Sequence, residues 1–464
     1  MRKSFVFAIS GVLLGTITAF LPLTGLSREA CAGLGILVCG ITWWVGHVLP
    51  DFVTALLMCT MYVLVCGVPM ETVFSAFSQS TFWLLLSSFA LSLGLSRCGL
   101  MDRLAMYILR LFPNSFAWQA LGLIAAGSVI GPFIPNLSAK AAILAPIALS
   151  ISDTLGYEHR SKASAGIFLA MLTGLRANAP LFISSSVLGY AFIGMYPEKI
   201  ALDFTMLRWF LAALPWFLMV SGANAAMLFC TYAPKNGEKY NRDTLSYRIN
   251  NLGEMSRAEK WMLLIVSVTM LLWATEGLHG VPAAIVSIAA MCASVSVGAL
   301  DVKDFKTGMN WGPLLFVGAT TGLAPTFASL GIDGWIVDAF RPLLGAVSAS
   351  PALLLLAIAV VVILVRFVVA SEVATVNLML VFLVPLSLEL GINPWVTGFA
   401  VYAGICPWFF LYQNPVYMTA YYATDEKMIT QPAAAKYCAV FLAISLAALA
   451  VCVPVWNWMG ILYL

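Results

Sequence analysis

The chain has 464 residues, of which 61% are hydrophobic and only 10% are charged, and its formal net charge is +3. With a mean hydropathy of +0.95, this composition excludes a water-soluble globular protein, and the small net charge argues against a nucleic-acid partner. Apolar runs of about 20 residues, the length that an α-helix needs to cross the hydrocarbon of a bilayer, recur along the chain. The sequence therefore predicts an all-α polytopic membrane protein.

The first part of the chain predicts four spans, an amphipathic segment and a hairpin. The spans and the amphipathic segment lie at about residues 5–26, 29–49, 52–68, 81–96 and 99–112. Two short apolar helices follow, at about 116–134 and 138–155, with Pro132, Pro135 and Asn136 at their junction. Because proline breaks a helix and a bilayer offers no water to the freed backbone groups, we expect this tip to be buried in protein or to line a wet cavity. The shortness of both helices, with charges on both flanks, predicts a hairpin that enters and leaves by one face.

A broken span follows the hairpin, and a polar linker then divides the chain almost in half. The broken span covers about residues 162–195 and is interrupted at Arg176–Pro180; another span covers 205–231. The linker at 234–260 is rich in lysine and arginine. After it the pattern recurs. There are three spans (261–278, 280–298 and 311–330), an amphipathic segment (332–344), a hairpin tip (371–375), a broken span (394–424) interrupted at Tyr412–Pro415, and a last span (431–455).

Residue spacing and charge predict that the two halves are inverted repeats. Asn136 precedes Asn178 by the same 42 residues by which Glu372 precedes Asn414. With a cytoplasmic N-terminus and an external C-terminus, 16 of the 24 basic residues fall on cytoplasmic segments and four on external ones. This asymmetry fits the positive-inside rule, and it brings the first hairpin in from the cytoplasm and the second from outside. The resulting architecture has about 11 transmembrane helices and two re-entrant hairpins.

Several stretches resemble the divalent anion/sodium symporter family of the ion transporter superfamily. They are Ser256–Leu264, the tryptophan-led span at Trp311, both hairpins and Tyr412–Pro415. The family includes dicarboxylate, citrate and sulfate carriers, and the resemblance implies an elevator-type homodimer in the cell inner membrane. It also implies three parts. They are a scaffold (here residues 1–113 and 261–348), a transport domain (114–233 and 349–464) and a cytoplasmic linker (234–260).

The hairpin tips depart from the family signature, which is Ser-Asn-Thr followed by Ala-Thr. The first tip, Pro135–Ala139, keeps only the asparagine, and the second, Ser371–Thr375, keeps the serine and the Ala-Thr. Leu137 and Val373 replace the threonines whose hydroxyls would help to hold sodium and substrate. We therefore expect coupling that differs from ordinary sodium symport.

The candidate substrate-binding residues lie at the tips and breaks. They are Asn136, Ser138, Lys140, Arg176, Asn178, Ser371, Glu372, Thr375, Asn414 and Pro415. Asn136 and Asn178 stand at broken helices, whose free N-termini attract anions, or else they only cap those helices. An intramembrane base costs about 3 kcal/mol to insert and usually faces a cavity or a partner. Lys140 and Arg176 are therefore expected either to converge on an anionic substrate or to form an ion pair, for example with Glu372.

Glu372 has three open roles: it accepts a proton, binds sodium together with Asn136 and Ser371, or neutralises a base. We expect no cofactor, and sodium or a proton is the candidate coupling ion. Arg366 is expected to reach the outer interface by snorkelling.

Three functions follow from these residues. The first is a secondary transporter of small dianions of the di- or tricarboxylate, sulfate or sulfonate type; fixed bases favour anion exchange without sodium, because an empty site would be charged. The second is a cation/proton antiporter or an oxyanion efflux permease of the same architecture. A membrane-embedded enzyme is the least favoured, since the three histidines are far apart and no paired carboxylates are present. The sequence contains no P-loop, which argues against an ATP-driven pump.

Overall fold

The computed structural model describes residues 2–234, 253–347 and 350–464. These residues form helices joined by turns, and the only strand-like pairing among them is an isolated bridge between Ile392 and Tyr463. The predicted all-α fold is therefore confirmed.

The first half contains twelve α-helices in the described residues. They are α1 (Arg2–Phe20), α2 (Arg28–Val45), α3 (Asp51–Cys66), α4 (Met70–Val73), α5 (Ser80–Arg97), α6 (Leu100–Arg110), α7 (Phe116–Ile130), α8 (Leu137–Thr154), α9 (Lys162–Asn178), α10 (Val187–Met195), α11 (Glu198–Asp203) and α12 (Met206–Tyr232). The amphipathic segment is α6: Leu100, Ala105 and Leu109 are buried, whereas Asp102 and Arg110 are exposed.

The second half likewise contains twelve α-helices in the described residues. They are α13 (Arg257–Ala274), α14 (Glu276–His279), α15 (Ala283–Ser296), α16 (Val302–Thr307), α17 (Trp311–Thr321), α18 (Leu323–Leu330), α19 (Ile332–Val347), α20 (Pro351–Arg366), α21 (Glu372–Glu389), α22 (Pro394–Ile405), α23 (Pro415–Ala423) and α24 (Gln431–Trp458).

Seven of the described helices are long and apolar enough to cross a membrane, or eight if α5 and α6 count as one span bent by 72°. The remaining predicted spans are formed by α13, by shorter apolar helices, or by two half-helices that meet at a break, such as α9 with α10 and α22 with α23. The predicted number of 11 spans stays a prediction.

The two hairpins, α7–α8 and α20–α21, pack in the same way in both halves. The first helix of each hairpin packs against the first part of its own broken span, α7 against α9 and α20 against α22. The second helix packs against the second part of the other half's broken span, α8 against α23 and α21 against α10. Because each half packs against the broken span of the other, the hairpins and broken spans pack together, and the two tips and the two breaks lie close to one another.

The structure corrects the register of the repeat. Asn136 and Ser371 cap α8 and α21, so these two residues are equivalent, rather than Asn136 and Glu372. Asn414 caps α23, and its counterpart is Ser186, which caps α10. Asn178 ends α9 and has no capping role at α10. The equal 42-residue spacings therefore join unequal positions, because α9 has 17 residues and α22 only 12.

A buried tryptophan cluster fixes the second broken span in place. Trp395 at the start of α22 makes edge contacts with Trp209 of α12, at 5.7 Å between ring centroids, and with Trp456 of α24, at 5.5 Å. All three side chains are fully buried. Because aromatic rings bury large areas, this cluster contributes strongly to the packing of α22 against α12 and α24.

Candidate functional site

A cavity of about 390 Å³ lies where the two hairpin tips and the two breaks meet. One wall consists of residues from the tips and from the second parts of the broken spans: Asn136, Ser138, Ser186, Ser371, Glu372 and Pro415. The opposite wall comes from the turn between α2 and α3 and from the start of α17, and includes His47, Asp51, Asn310 and Pro313. The volume suits a small molecule.

Four of the α-helices that begin at this cavity, those that follow the two tips and the two breaks, have a side-chain cap. Asn136 Oδ1 accepts a hydrogen bond from the Ala139 amide at 3.1 Å, and Ser371 Oγ accepts from the Ala374 amide at 3.4 Å. At the breaks, Ser186 Oγ and Asn414 Oδ1 accept from the backbone amides of Leu188 and Tyr417, at 3.2 Å and 3.0 Å. Helix N-termini carry partial positive charge, so four of them around one cavity favour an anion.

Lys140 lies behind the first tip rather than in the cavity wall. Its ammonium donates to the carbonyl oxygens of Gly131 at 3.0 Å and Ser185 at 2.7 Å, and to Ser185 Oγ at 3.1 Å. Only 1% of the residue is exposed. The three acceptors match the three ammonium hydrogens, and the lysine thereby ties the first tip to the first break.

Arg366 plays the corresponding part at the second tip. Its guanidinium donates to the carbonyl oxygens of Val369 (2.9 Å), Ala370 and Gln413, and the residue is buried. The expectation that Arg366 snorkels to the interface is wrong. The carbonyl oxygens freed at the end of α20 and at the second break accept its donors inside the protein, so the side chain does not need to reach water.

Arg176, at the end of α9, is also buried. Its guanidinium donates to the carbonyl oxygens of Ile405 at 2.7 Å and Cys406 at 2.8 Å, where α22 ends. It also forms an ion pair with Glu372, with 3.0 Å between Nη2 and Oε1. Of the two expected positions, the structure places Arg176 in the ion pair and outside the cavity wall.

Glu372, the first residue of α21, stands between these bases and the cavity. Its Oε1 accepts from Asn414 Nδ2 at 3.1 Å and lies 3.8 Å from Arg366 Nη2, in addition to the pair with Arg176. The side chain is 11% exposed, whereas those of Arg176 and Arg366 are at most 3% exposed. The carboxylate is therefore the part of this charged cluster that faces the cavity.

The remaining candidates are buried away from the cavity wall. Thr375 Oγ1 donates to the Ser371 carbonyl oxygen at 2.9 Å. The Asn414 side chain donates to the carboxylate of Glu372 and caps α23. Asn178 lies beside Gly131 and Ser185, and within the described part of the chain its amide has no hydrogen-bond partner.

The residues that sequence reasoning missed are Ser186 and the polar groups of the opposite wall, such as His47, Asp51 and Asn310. Ser186 carried a usable signal: a serine directly before the apolar run Val187–Met195 is typical of a helix N-cap. The opposite wall carried none, because its residues lie in a turn and at the starts of two helices whose approach to the tips depends on the tertiary fold.

Comparison with known proteins gives a family and a fold. The family model described as the sodium:sulfate symporter transmembrane region matches residues 2–462. A putative malate transporter of Bacillus subtilis is 22% identical over 339 residues, which cover 71% of each chain. The sodium-dependent dicarboxylate transporter SdcS of Staphylococcus saprophyticus is 23% identical over 436 residues, 85% of this chain and 81% of that one. The crystal structure of the Alcanivorax borkumensis YdaH transporter superposes with a TM-score of 0.62 at 14% identity, covering 99% of this chain and 97% of that one, and shows a shared fold.

Proposed function

The chain belongs to the sodium:sulfate symporter transmembrane family, and from this premise we propose that it exchanges small dicarboxylate-type anions across a membrane without sodium. Membership makes it a multi-pass secondary transporter of a small anion and not an enzyme. The substrate class is proposed because relatives along most of the chain are named as malate and dicarboxylate transporters.

The proposal of sodium independence rests on the arrangement of Lys140 and Arg366. Each base links a hairpin tip to a break by donating to oxygen atoms, from Gly131 and Ser185 in one half and from Val369, Ala370 and Gln413 in the other half. Unwound backbone carbonyls of this kind hold the coupling cation in many secondary transporters. A sodium ion at either place would have to displace a tethered positive charge.

The charge of the buried cluster supports exchange rather than net uptake. Lys140, Arg176 and Arg366 contribute three positive charges, and Glu372 contributes one negative charge. An empty site that crosses the hydrocarbon therefore carries uncompensated positive charge, which is costly, whereas an anion lowers that charge. The loaded carrier should move more readily than the empty one.

The same bases argue against the cation/proton antiporter alternative. A cation that entered the cavity would approach four capped helix N-termini. Three buried bases lie behind the wall, whereas two acids, Glu372 and Asp51, line it. Glu372, the residue that favoured cation binding, already has Arg176 and Asn414 as partners. The partial positive charge of the helix N-termini and the positive charge of the buried bases both favour an anion.

Three further features are part of the proposal: a homodimer, an elevator movement, and an inner-membrane location with the N-terminus in the cytoplasm. In that orientation the turn between α2 and α3 lies on the cytoplasmic side. His47 and Asp51 of this turn form part of the cavity wall, so the cavity would open toward the cytoplasm.

The test is counterflow in proteoliposomes with labelled malate or succinate. Vesicles preloaded with unlabelled substrate should take up label far faster than empty vesicles, and potassium should replace sodium without loss. Equal rates in empty and preloaded vesicles, or strict sodium dependence, would show that the proposal is wrong.

Two lysine variants make this experiment sharper. Lys140→Met removes the tethered cation and leaves the Gly131 and Ser185 oxygens without a donor, so exchange should be lost in both salts. Lys199→Met changes an exposed lysine and should exchange as the wild type does.

A further inference from the structure

The second hairpin tip already holds a carboxylate, that of Glu372. Oε1 of this residue accepts a hydrogen bond from Asn414 Nδ2 at 3.1 Å and forms an ion pair with Arg176 Nη2 at 3.0 Å, while Oε2 accepts a hydrogen bond from Arg176 Nη1 at 3.4 Å. Asn414 caps α23, so the carboxylate lies where one of the four helix N-termini meets the cavity. Glu372 thus occupies a place suited to one end of an anionic substrate.

The first tip has no such group. Leu137 is the first residue of α8, as Glu372 is of α21, and residues 135–140 include no acid. Asn136, Ser138 and Ser186 line the cavity on this side. Of the two tips, the first is therefore the one with an open place for an anionic group of the substrate.

A short dicarboxylate that binds at the first tip brings its second carboxyl group toward Glu372. When two carboxylates share a site, the negative charge of one favours the protonated form of the other. Building on the proposed function, we infer that the site takes a singly charged anion: a dicarboxylate binds in its half-protonated form, and its carboxyl group donates a hydrogen bond to Glu372. Each dicarboxylate then carries one proton with it.

The groups around Glu372 explain why the proton lies on the substrate. Arg176 and Arg366 are held beside Glu372 by backbone carbonyl oxygens, and their positive charges lie 3.0 Å and 3.8 Å from its carboxylate. The other titratable groups near Glu372 or across the cavity are Tyr402, Cys406, Tyr412, His47 and Asp51. A change in the charge of any of these would act on every anion, whether or not it has a second carboxyl group, and this gives the test its discriminating arm.

The test compares succinate with succinamate, in which a carboxamide replaces one carboxylate. Counterflow of each is measured between pH 8 and 7, with equal pH on both sides and at low concentration. The half-protonated fraction of succinate rises about tenfold per pH unit well above its second pKa, so its counterflow should rise about tenfold. Succinamate should be independent of pH and faster than succinate at pH 8.

Glu372→Gln provides the second arm, with Glu158→Gln, an exposed acid, as its control. A carboxamide at this position needs no proton on the substrate, so succinate counterflow should lose its pH dependence, while the Glu158→Gln profile stays that of the wild type. Because the Glu372→Gln variant lacks the charge that pairs with two arginines, the wild-type comparison decides the matter if this variant does not fold.

Two results would overturn the inference and leave the proposed function intact. One is succinate counterflow that does not change with pH, and the other is a parallel rise for succinamate, which would point to a protein group such as His47. Counterflow of neither compound would overturn the proposed function itself.

Discussion

The guanidinium of Arg176 joins three helices near the cavity: the end of α9, the end of α22 and the start of α21. It does so through the carbonyl oxygens of Ile405 and Cys406 and through the carboxylate of Glu372. Removing one partner of a buried ion pair leaves the other charge uncompensated. The role of Arg176 is therefore to hold the second tip and the second break against α9.

We expect Arg176→Gln to lower the free energy of unfolding by about 3–5 kcal/mol and to abolish transport, because Glu372 loses its main counter-charge. Thermal unfolding in detergent measures the first effect, and counterflow the second. Arg208→Gln is the control: its partner is Asp203, both are about half exposed, and such pairs contribute at most about 1 kcal/mol. Lost transport with an unchanged melting temperature would instead indicate that Arg176 contacts the substrate.

At the scale of helices, the first hairpin touches the first broken span without side chains between them. A Cβ atom on Gly127 of α7 would lie 2.7 Å from the carbonyl carbon of Gly174, and one on Gly174 of α9 would lie 2.8 Å from Ile124 Cα. Backbone atoms cannot yield as side chains can. The pair of glycines thus sets the distance between α7 and α9, and with it the position of the tip.

Gly174→Ala should destabilise the protein by about 1–3 kcal/mol through overpacking, and should slow transport because α7 shifts from α9. Gly222→Ala is the matched control, since Gly222 is also helical and a Cβ there meets nothing within 4 Å. This control should be neutral or more stable by up to about 1 kcal/mol. The melting temperatures of both variants are measured in detergent, and their transport is measured by counterflow. Equal melting temperatures would contradict the close approach of α7 and α9.

Two buried hydrogen bonds join helices of the predicted transport domain to helices of the predicted scaffold. Tyr190 of α10 donates to Ser88 Oγ of α5 at 2.6 Å, and Asn377 of α21 donates to Thr320 Oγ1 of α17 at 2.6 Å. Movement of one domain past the other would break both bonds. An elevator movement of this chain would have to include that cost.

At the scale of the whole molecule, contacts between distant segments join loops that the charge-based prediction places on the same side of the membrane. Segments predicted to be cytoplasmic touch one another: Arg103 pairs with Glu259 at 2.6 Å, and the Arg160 amide donates to the Lys427 carbonyl oxygen at 2.8 Å. On the side predicted to be external, Trp335 donates to the Thr24 carbonyl oxygen at 3.2 Å. Each set of loops therefore gathers at one end of the helices.

A cysteine at Glu198 should react with an impermeant thiol reagent added to intact cells, and a cysteine at Glu254 should be protected until the cells are opened. Both positions are exposed glutamates, so they differ only in the predicted side of the membrane. Cys230 and Cys292, the exposed natural cysteines among the described residues, are first replaced by serine to remove background labelling. The opposite labelling pattern would reverse the orientation of both hairpins.

Much of the architecture could be predicted from local sequence. The apolar runs, the helix breaks before Asn136 and near Asn414, and the amphipathic segment after Gly99 all agree with the structure to within a few residues. Gly99 adopts a left-handed conformation that favours glycine and marks the bend between α5 and α6. Such features depend on hydrophobicity, proline and glycine over a few neighbouring residues, and a single sequence contains that information.

The sequence by itself determined that this protein is an all-α membrane protein with two hairpins, two interrupted spans, and bases near the hairpin tips. Only the tertiary structure decided what those bases touch. Arg176 finds its acceptors about 230 residues further along the chain, and Arg366 turns inward to the second break instead of outward to the interface. A buried charge takes whichever oxygens the packing of distant helices brings within hydrogen-bond reach, and no local pattern encodes that approach.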